Sequence, residues 1–431
     1  MLTVFLLLIA FTAIPYGTVQ PWTEGFVIAL FFALSFFWFI EGCWQPEKWL
    51  KPEYKLLIPL LLMVVYCYLQ TISWNAGVPI SYDPYSTKIA LLKLLAYTFT
   101  LGALLRYVNS ARRIYALIWL VLGLAVICAL FGLTRQAIQH EQVGFVLPLL
   151  QKNGGFAQYI NKNHFATFMV MAFGLMLGLL LGRGLGRERW MLLVATALPM
   201  GIALIVCGSR SGVLATLAEL AFVPLVAVAS QPKERHSPRS SLLRFAGSVA
   251  GRILLVLALV TGGILSVIVV GGEDIVSRFE QTKQETNTDE TNANRLGAWR
   301  STIKLFKKHP ITGIGFGGFW IAFSTVHDGS GQIVPQQSHN DYLEILASGG
   351  LIGVIIFLSF IVLLIILARQ QLKSRNVLRR ATCLGALTGL FGVAIQSMVE
   401  FGLHITFNAL ICMVLVALAT ANPTELNHST D

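Results

Sequence analysis

Residues 338–353 have the sequence SHNDYLEILASGGLIG, and a run free of charged residues continues from Ile345 to Ala368. The stretch places one histidine, His339, where a long polar segment of the chain enters an apolar helix. Histidine is the side chain best suited to moving a proton near neutral pH. In a membrane protein, a histidine at a water-facing helix start therefore predicts chemistry or gating at that point.

The composition of the whole chain predicts a polytopic membrane protein. Hydrophobic residues make up 55% of the 431 residues and charged residues only 12%, whereas a soluble domain carries about 25% charged residues. Runs of roughly 20 apolar residues, long enough to cross a bilayer as helices, recur from end to end. We predict an all-α fold that forms a single integral membrane domain over residues 1–431. Its twelve predicted spans cover residues 2–16, 25–42, 56–73, 88–106, 114–134, 164–182, 190–207, 212–230, 253–271, 350–368, 382–399 and 405–421.

The distribution of positive charge predicts the orientation of the chain in the membrane. The net charge is +11, but 19 of the 32 Lys and Arg residues lie in five short connections that alternate along the chain. The positive-inside rule requires this alternation, so the charge indicates contact with a lipid bilayer and no binding of nucleic acid. Both termini are then cytoplasmic. The five groups are Lys48, Lys51 and Lys55; Arg106, Arg112 and Arg113; Arg183, Arg187 and Arg189; Lys233, Arg235, Arg239, Arg244 and Arg252; and Arg369, Lys373, Arg375, Arg379 and Arg380.

The same orientation places the long segment 272–349, between the ninth and tenth spans, on the outer face. Residues 273–338 carry seven basic and seven acidic side chains, so an anion must be bound there by particular residues and not by a general positive field. Within the segment, an amphipathic helix is predicted from a cap at Asn294 to about His309, where Pro310 follows. This helix is expected to lie on the membrane surface or on top of the bundle. Its apolar stripe consists of Leu296, Trp299, Ile303 and Phe306.

His339 is the first candidate for a catalytic residue. Ser338 is predicted to cap the helix, with Asp341 in the capping-box position three residues on. A histidine in the first helical turn lies near the positive end of the helix dipole, which favours the neutral imidazole that a general base requires. The alternative is an interfacial histidine that only caps the helix or forms a hydrogen bond.

Two arginines are candidates for binding an anion. Arg210 lies between two long apolar spans in a turn of small residues on the outer side, where the positive-inside rule disfavours arginine unless it has a partner or a ligand. Its planar fork suits phosphate oxygens. Arg295 is predicted to start the amphipathic helix, so its guanidinium and the helix N-terminal amides would face one anion together. The alternatives are a turn-fixing Arg210 and a solvated Arg295.

Further polar residues in the outer connections are candidates either for contacting a glycan or an acceptor or for a structural role. They are Asn161, Asn163, His164, Asn340, Glu400 and His404. The chain contains no DxD, HExxH or nucleotide-binding loop, and its six cysteines form no CxxC pair, so neither a metal ion nor another cofactor is expected.

These residues together resemble a known family. His339-Asn340, nine residues and then Gly350-Leu351-Ile352-Gly353 resemble the H-[NSQ]-x9-G-x2-[GTY] pattern of the bacterial O-antigen ligases. Those enzymes share a superfamily with O-antigen polymerases and some protein O-oligosaccharyltransferases. The resemblance runs from about residue 155 to 410. Its other parts are Asn163-His164-Phe165-Ala166, Ser209-Arg210-Ser211-Gly212, Arg295 with Trp299, Pro310 with Gly313, Gly315 and Gly317, and Glu400-Phe401-Gly402-Leu403-His404.

The resemblance implies a metal-independent, inverting glycosyltransferase of the GT-C kind in the bacterial inner membrane. Its donor would be a glycan on undecaprenyl diphosphate, presented at the periplasmic face, and a ligase would use a hydroxyl of the lipid A–core oligosaccharide as acceptor. Carried over residue by residue, Arg210 and Arg295 would hold the diphosphate of the donor. His339 would deprotonate or orient the acceptor hydroxyl, and the segment 272–349 would form part of the active site.

Several alternatives remain open from the sequence. A polymerase would use a second lipid-linked repeat unit as acceptor, and a protein O-oligosaccharyltransferase would use a pilin-like protein. A secondary transporter or flippase also suits twelve spans. Such proteins usually show two related halves and charged residues at mid-membrane depth, whereas the mid-span regions here are almost free of charge.

Overall fold

The computed structural model of the protein describes residues 2–44, 51–75, 77–139, 146–150, 155–182, 186–230, 290–326 and 336–422. These residues form α-helices joined by turns, two 3-10 turns (Pro52–Leu56 and Gly402–His404) and one short hairpin of β1 (Ser73–Asn75) and β2 (Val78–Pro79). The helices are α1 Leu2–Ala13, α2 Pro21–Trp44, α3 Leu57–Gln70, α4 Pro84–Tyr107, α5 Ala111–Ile138, α6 Lys162–Gly182, α7 Arg187–Val206, α8 Arg210–Ser230, α9 Glu290–Lys308, α10 Phe319–Phe323, α11 Asp341–Leu372, α12 Val377–Gln396 and α13 Thr406–Thr420.

The helices confirm an all-α polytopic membrane fold. Within the described residues, nine helical segments are long and apolar enough to cross a membrane, and the shorter helices α1 and α13 are also apolar. These eleven helices coincide with eleven of the twelve predicted spans. The remaining predicted span, 253–271, lies outside the described residues, as do the basic loop 231–244 and residues 272–289 of the long outer segment.

Helix α6 is the centre of the bundle, because every side chain from His164 to Leu181 is buried. Its closest neighbour is α12, and small residues on both helices allow the two backbones to approach, as is common between membrane helices. A Cβ added at Gly178 would collide with the backbone of Gly385. The contact aligns the helices antiparallel, so the start of α6 lies beside the end of α12. The facing pairs are Gly174 with Gly389, Gly178 with Gly385, and Gly182 with Ala381.

The polar residues of the predicted outer connections lie together at one end of the bundle. There α6, α8 and α11 begin and α12 ends, as shown by hydrogen bonds from Ser209 to Asn163 and from the Asp341 amide to the Ser397 carbonyl. The C-terminal ends of α6 at Gly182 and α11 at Leu372, which basic residues follow in the sequence, therefore lie at the opposite end of the bundle.

One carboxyl group lies deep in the bundle. Glu219 of α8 has no exposed surface, and it fills the space left by Gly174 and Gly392 on the neighbouring helices. Neither of its carboxyl oxygens has a hydrogen-bond partner among the described residues. Burying an ionised carboxylate without a partner is very costly.

Helix α9 ends where the sequence predicts but starts earlier. The helix runs from Glu290 to Lys308, which is two residues before Pro310. Asn294 lies inside the helix, so the predicted cap at this residue is wrong. The predicted apolar stripe is not its buried face, since Leu296 and Ile303 are exposed. The buried face instead consists of three small or polar residues and one leucine: Ala298, Ser301, Thr302 and Leu305. The location of the exposed stripe at the membrane surface stays a prediction.

Helix α11 is broken at Gly350. Its φ of 58° and ψ of −163° belong to a region of backbone space that is open essentially only to glycine. In a regular helix, the N–H groups of residues 351 and 352 would bond to the carbonyls of 347 and 348. The loop 310–315 satisfies all four groups: the Ile314 and Gly315 amides donate to the Ala347 and Ser348 carbonyls, each at 3.0 Å, and the Leu351 and Ile352 amides donate to the Pro310 and Ile311 carbonyls at 2.9 and 3.3 Å.

We predict that Gly350→Ala destabilises the protein, because alanine at this φ and ψ costs about 1–3 kcal/mol in backbone strain and its Cβ would collide with the Ile311 carbonyl. The matched control is Gly353→Ala in the same helix, where an added Cβ makes only ordinary contacts of 3.5 Å or more. Thermal unfolding of the detergent-solubilised variants measures the difference. Equal melting temperatures for the two variants would contradict the assigned role of Gly350.

Candidate active site

A buried carboxylate, Glu400, lies at the centre of the polar end of the bundle. It follows α12 in a turn and is 1% exposed. Its Oε1 accepts hydrogen bonds from Asn163 Nδ2 of α6 at 2.7 Å and from Arg295 Nη2 of α9 at 2.8 Å. A buried charge requires partners of this kind, so Glu400 joins three parts of the chain that are far apart in sequence.

His339 faces the other oxygen of the same carboxylate. Its Nδ1 lies 3.8 Å from Glu400 Oε2, which is too long for a hydrogen bond. Both atoms are buried, and neither has a hydrogen-bond partner among the described residues. The imidazole also packs against the Phe401 ring in an edge-on geometry, with 4.7 Å between the centroids. His339 and Glu400 are thus adjacent and poised for contact.

The local backbone of His339 differs from the prediction. Helix α11 begins at Asp341, and its cap is Asn340, whose Oδ1 accepts from the Leu343 amide at 3.0 Å. Ser338 is therefore not the cap, and His339 precedes the helix instead of lying in its first turn. The helix-dipole argument for a neutral imidazole does not apply to a residue in this position. His339 also has a positive φ of 53°, a conformation that is uncommon for residues other than glycine and that often marks functional sites.

Arg295 is also placed differently from the prediction. Because α9 begins by Glu290, Arg295 lies in the second turn and does not share an anion site with the N-terminal amides of that helix. Its bond to Glu400 uses Nη2. A guanidinium has five N–H donors in a planar fork, so this contact leaves its other edge for a second acceptor. The side chain is 32% exposed, which keeps it accessible from the end of the bundle.

The turn that carries Arg210 reaches the same cluster. Arg210 is the first residue of α8 and is exposed. The residues on either side of it contact the cluster: Ser209 Oγ donates to Asn163 Oδ1 at 2.8 Å, and Gln396 Nε2 donates to Ser211 Oγ at 3.4 Å. The structure therefore brings Arg295, His339, Asn163 and Glu400 into direct proximity and positions Arg210 next to them through its neighbours.

The amide side chains of the site are engaged within the protein. Both ends of the Asn163 amide are used, by Ser209 and by Glu400. Asn161 Oδ1 accepts from the Asn163 amide at 2.9 Å and thus caps α6. Asn340 donates from Nδ2 to the Met398 carbonyl at 2.7 Å in addition to capping α11. These contacts lie within the protein, and whether these residues also contact a glycan or an acceptor stays a prediction.

Phe401 connects three histidines, a role that the sequence does not indicate. Besides His339, its ring contacts His164 at 4.8 Å and His404 at 6.0 Å between centroids, both in edge-on geometry. His164 is 8% exposed, and its Nε2 has no hydrogen-bond partner among the described residues. The sequence does not single out Phe401, because an aromatic residue beside an apolar span usually packs against lipid or core.

A second group of charged residues lies on the far side of Phe401. His404 Nε2 is 3.4 Å from Asp341 Oδ1 and 3.7 Å from Glu344 Oε1. Ser397 Oγ donates to Asp341 Oδ2 at 2.7 Å, and the Ser338 amide donates to Glu344 Oε2 at 2.9 Å. Burial lowers the pKa of His404, but the carboxylates of Glu344 and Asp341 outweigh burial, so the pKa lies above its usual value. The contacts of Asp341 and Glu344 hold the start of α11, which directly follows His339 and Asn340 in the chain.

The raised pKa of His404 predicts a pH-dependent contribution to stability. Protonated His404 stabilises the folded state, so its contribution is complete below the unfolded pKa of about 6.5 and is lost as the pH rises through the folded value. In the wild-type protein this loss lowers the melting temperature as the pH rises. We expect the His404→Gln variant to lack that decrease when the melting temperature is measured as a function of pH. The matched control is His309→Gln, because burial, with Lys308, lowers the pKa of His309 and its contribution has the opposite sign. An unchanged pH profile for His404→Gln would exclude the ion pair.

The arrangement has the parts that transfer of a group from an anionic carrier requires. Arginine forks bind phosphate oxygens and neutralise charge that develops on a leaving group. An imidazole next to them, supported by a carboxylate, is suited to receive a proton. All these groups lie at one end of the membrane bundle, where a lipid headgroup is accessible.

Comparison with known proteins gives one family match. No curated protein matches the chain significantly. A family model described as O-antigen ligase matches residues 194–358, which include Arg210, Arg295 and His339. The matched segment also contains Gly350, the glycine at the break in α11. The resemblance to the O-antigen ligase superfamily is confirmed by this match over residues 194–358 of the chain.

Proposed function

We propose that the protein is an O-antigen ligase that transfers a glycan from undecaprenyl diphosphate to a hydroxyl of the lipid A–core oligosaccharide. The observation that carries the proposal is the meeting of Arg295, His339 and the Arg210 turn around Glu400. The family match supports a glycosyltransferase-like activity in general. The donor, the acceptor and the mechanism are the further steps that we propose.

In the proposed reaction, Arg210 and Arg295 hold the diphosphate of the donor. The bond between the anomeric carbon and the phosphate oxygen breaks, and its electron pair leaves with the diphosphate. Two guanidinium groups neutralise the charge that grows on this leaving group. The reaction therefore requires neither a metal ion nor ATP, because the free energy is held in the lipid–diphosphate–glycan linkage.

His339 acts on the acceptor in the proposed reaction. The acceptor hydroxyl attacks the anomeric carbon from the face opposite the diphosphate, so the configuration at that carbon inverts. The O–H bond of the acceptor breaks as the new C–O bond forms, and its proton passes to Nε2 of His339. His339 adopts its positive φ just before α11 begins.

The distribution of basic residues supports a periplasmic active site. The ends of α6 and α11, which basic residues follow in the sequence, lie at the end of the bundle opposite Glu400, and positively charged connections favour the cytoplasm. The polar end of the bundle then faces the periplasm. The lipid part of the donor would lie between membrane-spanning helices, with its diphosphate at the outer interface.

We predict that Arg295→Ala and Arg210→Ala each lower the rate of transfer by about 10²–10³-fold, the usual cost of removing one group that stabilises a developing charge. The assay uses the purified protein in proteoliposomes with a polyprenyl-diphosphate-linked saccharide and lipid A–core. Arg300→Ala is the matched control, because Arg300 is an exposed residue of the same helix α9. A wild-type rate for either variant would remove that arginine from the proposed donor site.

The lipopolysaccharide of a deletion strain distinguishes a ligase from a polymerase of the same superfamily. We expect the deletion strain to contain lipid A–core without O-chains, and long chains to accumulate on the carrier lipid. Loss of a polymerase would instead leave one repeat unit on the core. Gel electrophoresis of lipopolysaccharide from the deletion and complemented strains measures the difference, and a single-repeat pattern would refute the ligase proposal.

A further inference from the structure

We infer that Glu400 is the positioning residue that fixes the tautomer and orientation of His339, holding Nδ1–H toward its own Oε2 and leaving Nε2 for the acceptor. This inference rests on the proposed function and deepens it. From the sequence, Glu400 is a candidate only for contacting a glycan or an acceptor or for a structural role. Its place in the structure is more specific than either, because the two oxygens of its carboxylate have different surroundings.

One oxygen of the carboxylate anchors it. Oε1 accepts from Asn163 at 2.7 Å and from Arg295 at 2.8 Å. Asn163 is itself held by Ser209, and its backbone carbonyl accepts from Gln396 Nε2 at 3.2 Å. Two donors from two different helices therefore fix the plane of the carboxylate. The direction of the second oxygen is fixed as a consequence.

The other oxygen is buried and directed at His339. Oε2 has no hydrogen-bond partner among the described residues, and the same is true of His339 Nδ1, which lies 3.8 Å away. A buried acceptor and a buried donor that lack partners and face each other each carry a desolvation cost. An approach of about 1 Å would give a charge-assisted hydrogen bond of ordinary length.

This contact decides which nitrogen of His339 acts on the substrate. A carboxylate accepts only, so the neutral imidazole must carry its hydrogen on Nδ1, and the lone pair is then on Nε2. When Nε2 takes the proton from the acceptor hydroxyl, Nδ1–H stays on the ring and the carboxylate stabilises the imidazolium. Glu400 gains no proton in the step. It acts through His339 and does not touch the reacting atoms.

The test is Glu400→Gln. This substitution preserves the size of the side chain, but the group that faces His339 becomes a hydrogen-bond donor instead of an acceptor. Asn163 and Arg295 are both donors, so they hold the amide oxygen at the Oε1 position and turn the NH₂ group toward Nδ1. Nδ1 must then accept, which places the hydrogen on Nε2 and removes the base. The wrong tautomer in a carboxylate–histidine pair costs about 10⁴ in kcat. We expect kcat to fall by at least about 10²-fold while KM for the donor stays within a few-fold.

The order of the variants separates positioning from a structural role. Glu400→Asp retains an acceptor and should recover part of kcat, whereas a purely structural role predicts that the near-isosteric Gln variant is the more active of the two. Asn163→Ala is the control for anchoring, since it removes one bond to Oε1 and leaves an acceptor facing His339. Steady-state kinetics with the polyprenyl-diphosphate-linked saccharide, and melting temperatures for all variants, are the measurements.

The outcomes also separate this inference from the proposed function. If Arg295→Ala and His339→Ala both transfer glycan at the wild-type rate, the proposed active site is wrong. If those variants are inactive but a folded Glu400→Gln retains a wild-type kcat, only the positioning role of Glu400 is refuted. A Glu400→Gln variant with an altered donor KM and an unchanged kcat refutes it equally, because Glu400 would then serve binding through Arg295.

Discussion

The close contact between α6 and α12 is the constraint on which the rest of the site depends. Three pairs of small residues bring the two backbones together over residues 174–182 of α6 and 381–389 of α12. Without side chains to separate them, the start of α6 and the end of α12 meet at one level, which places Asn163 beside Glu400. A bulky residue at any of these positions would force the helices apart, and the polar groups at their ends would separate with them.

Glu400 then decides how the charges at this end of the bundle are arranged. A buried carboxylate is stable only if donors compensate for lost hydration, and it obtains them from α6 and from α9, which carries Arg295. The same requirement draws together segments that lie far apart in the sequence. The result places Arg295 and His339 on opposite oxygens of one group, so that in the proposed reaction binding of an anion and transfer of a proton would be neighbouring events.

The sequence predicts the membrane helices well, because apolar runs of the required length have few alternatives in a bilayer. It also identifies His339, Arg210 and Arg295, through residue types that are unusual where they occur. It does not predict the pairing of His339 with Glu400, because tertiary packing alone sets that distance. The predicted start of α11 is wrong because Ser338 and Asn340 both suit a helix cap. Asn340, the one nearer to the apolar run, is the cap.

The break at Gly350 separates the start of α11, next to His339, from its long apolar part. The segment 341–349 is held by backbone bonds to the loop 310–315 and by Gln70 of α3, whose amide donates to the Ser348 carbonyl at 2.9 Å. The lower part of α11 is not tied to that segment by a continuous helical ladder. The Leu351 and Ile352 amides, at the start of the lower part, donate to carbonyls of that same loop. The loop 310–315 therefore joins the two parts of α11 in place of the missing helical bonds, so a substitution that displaces this loop would disturb both of them.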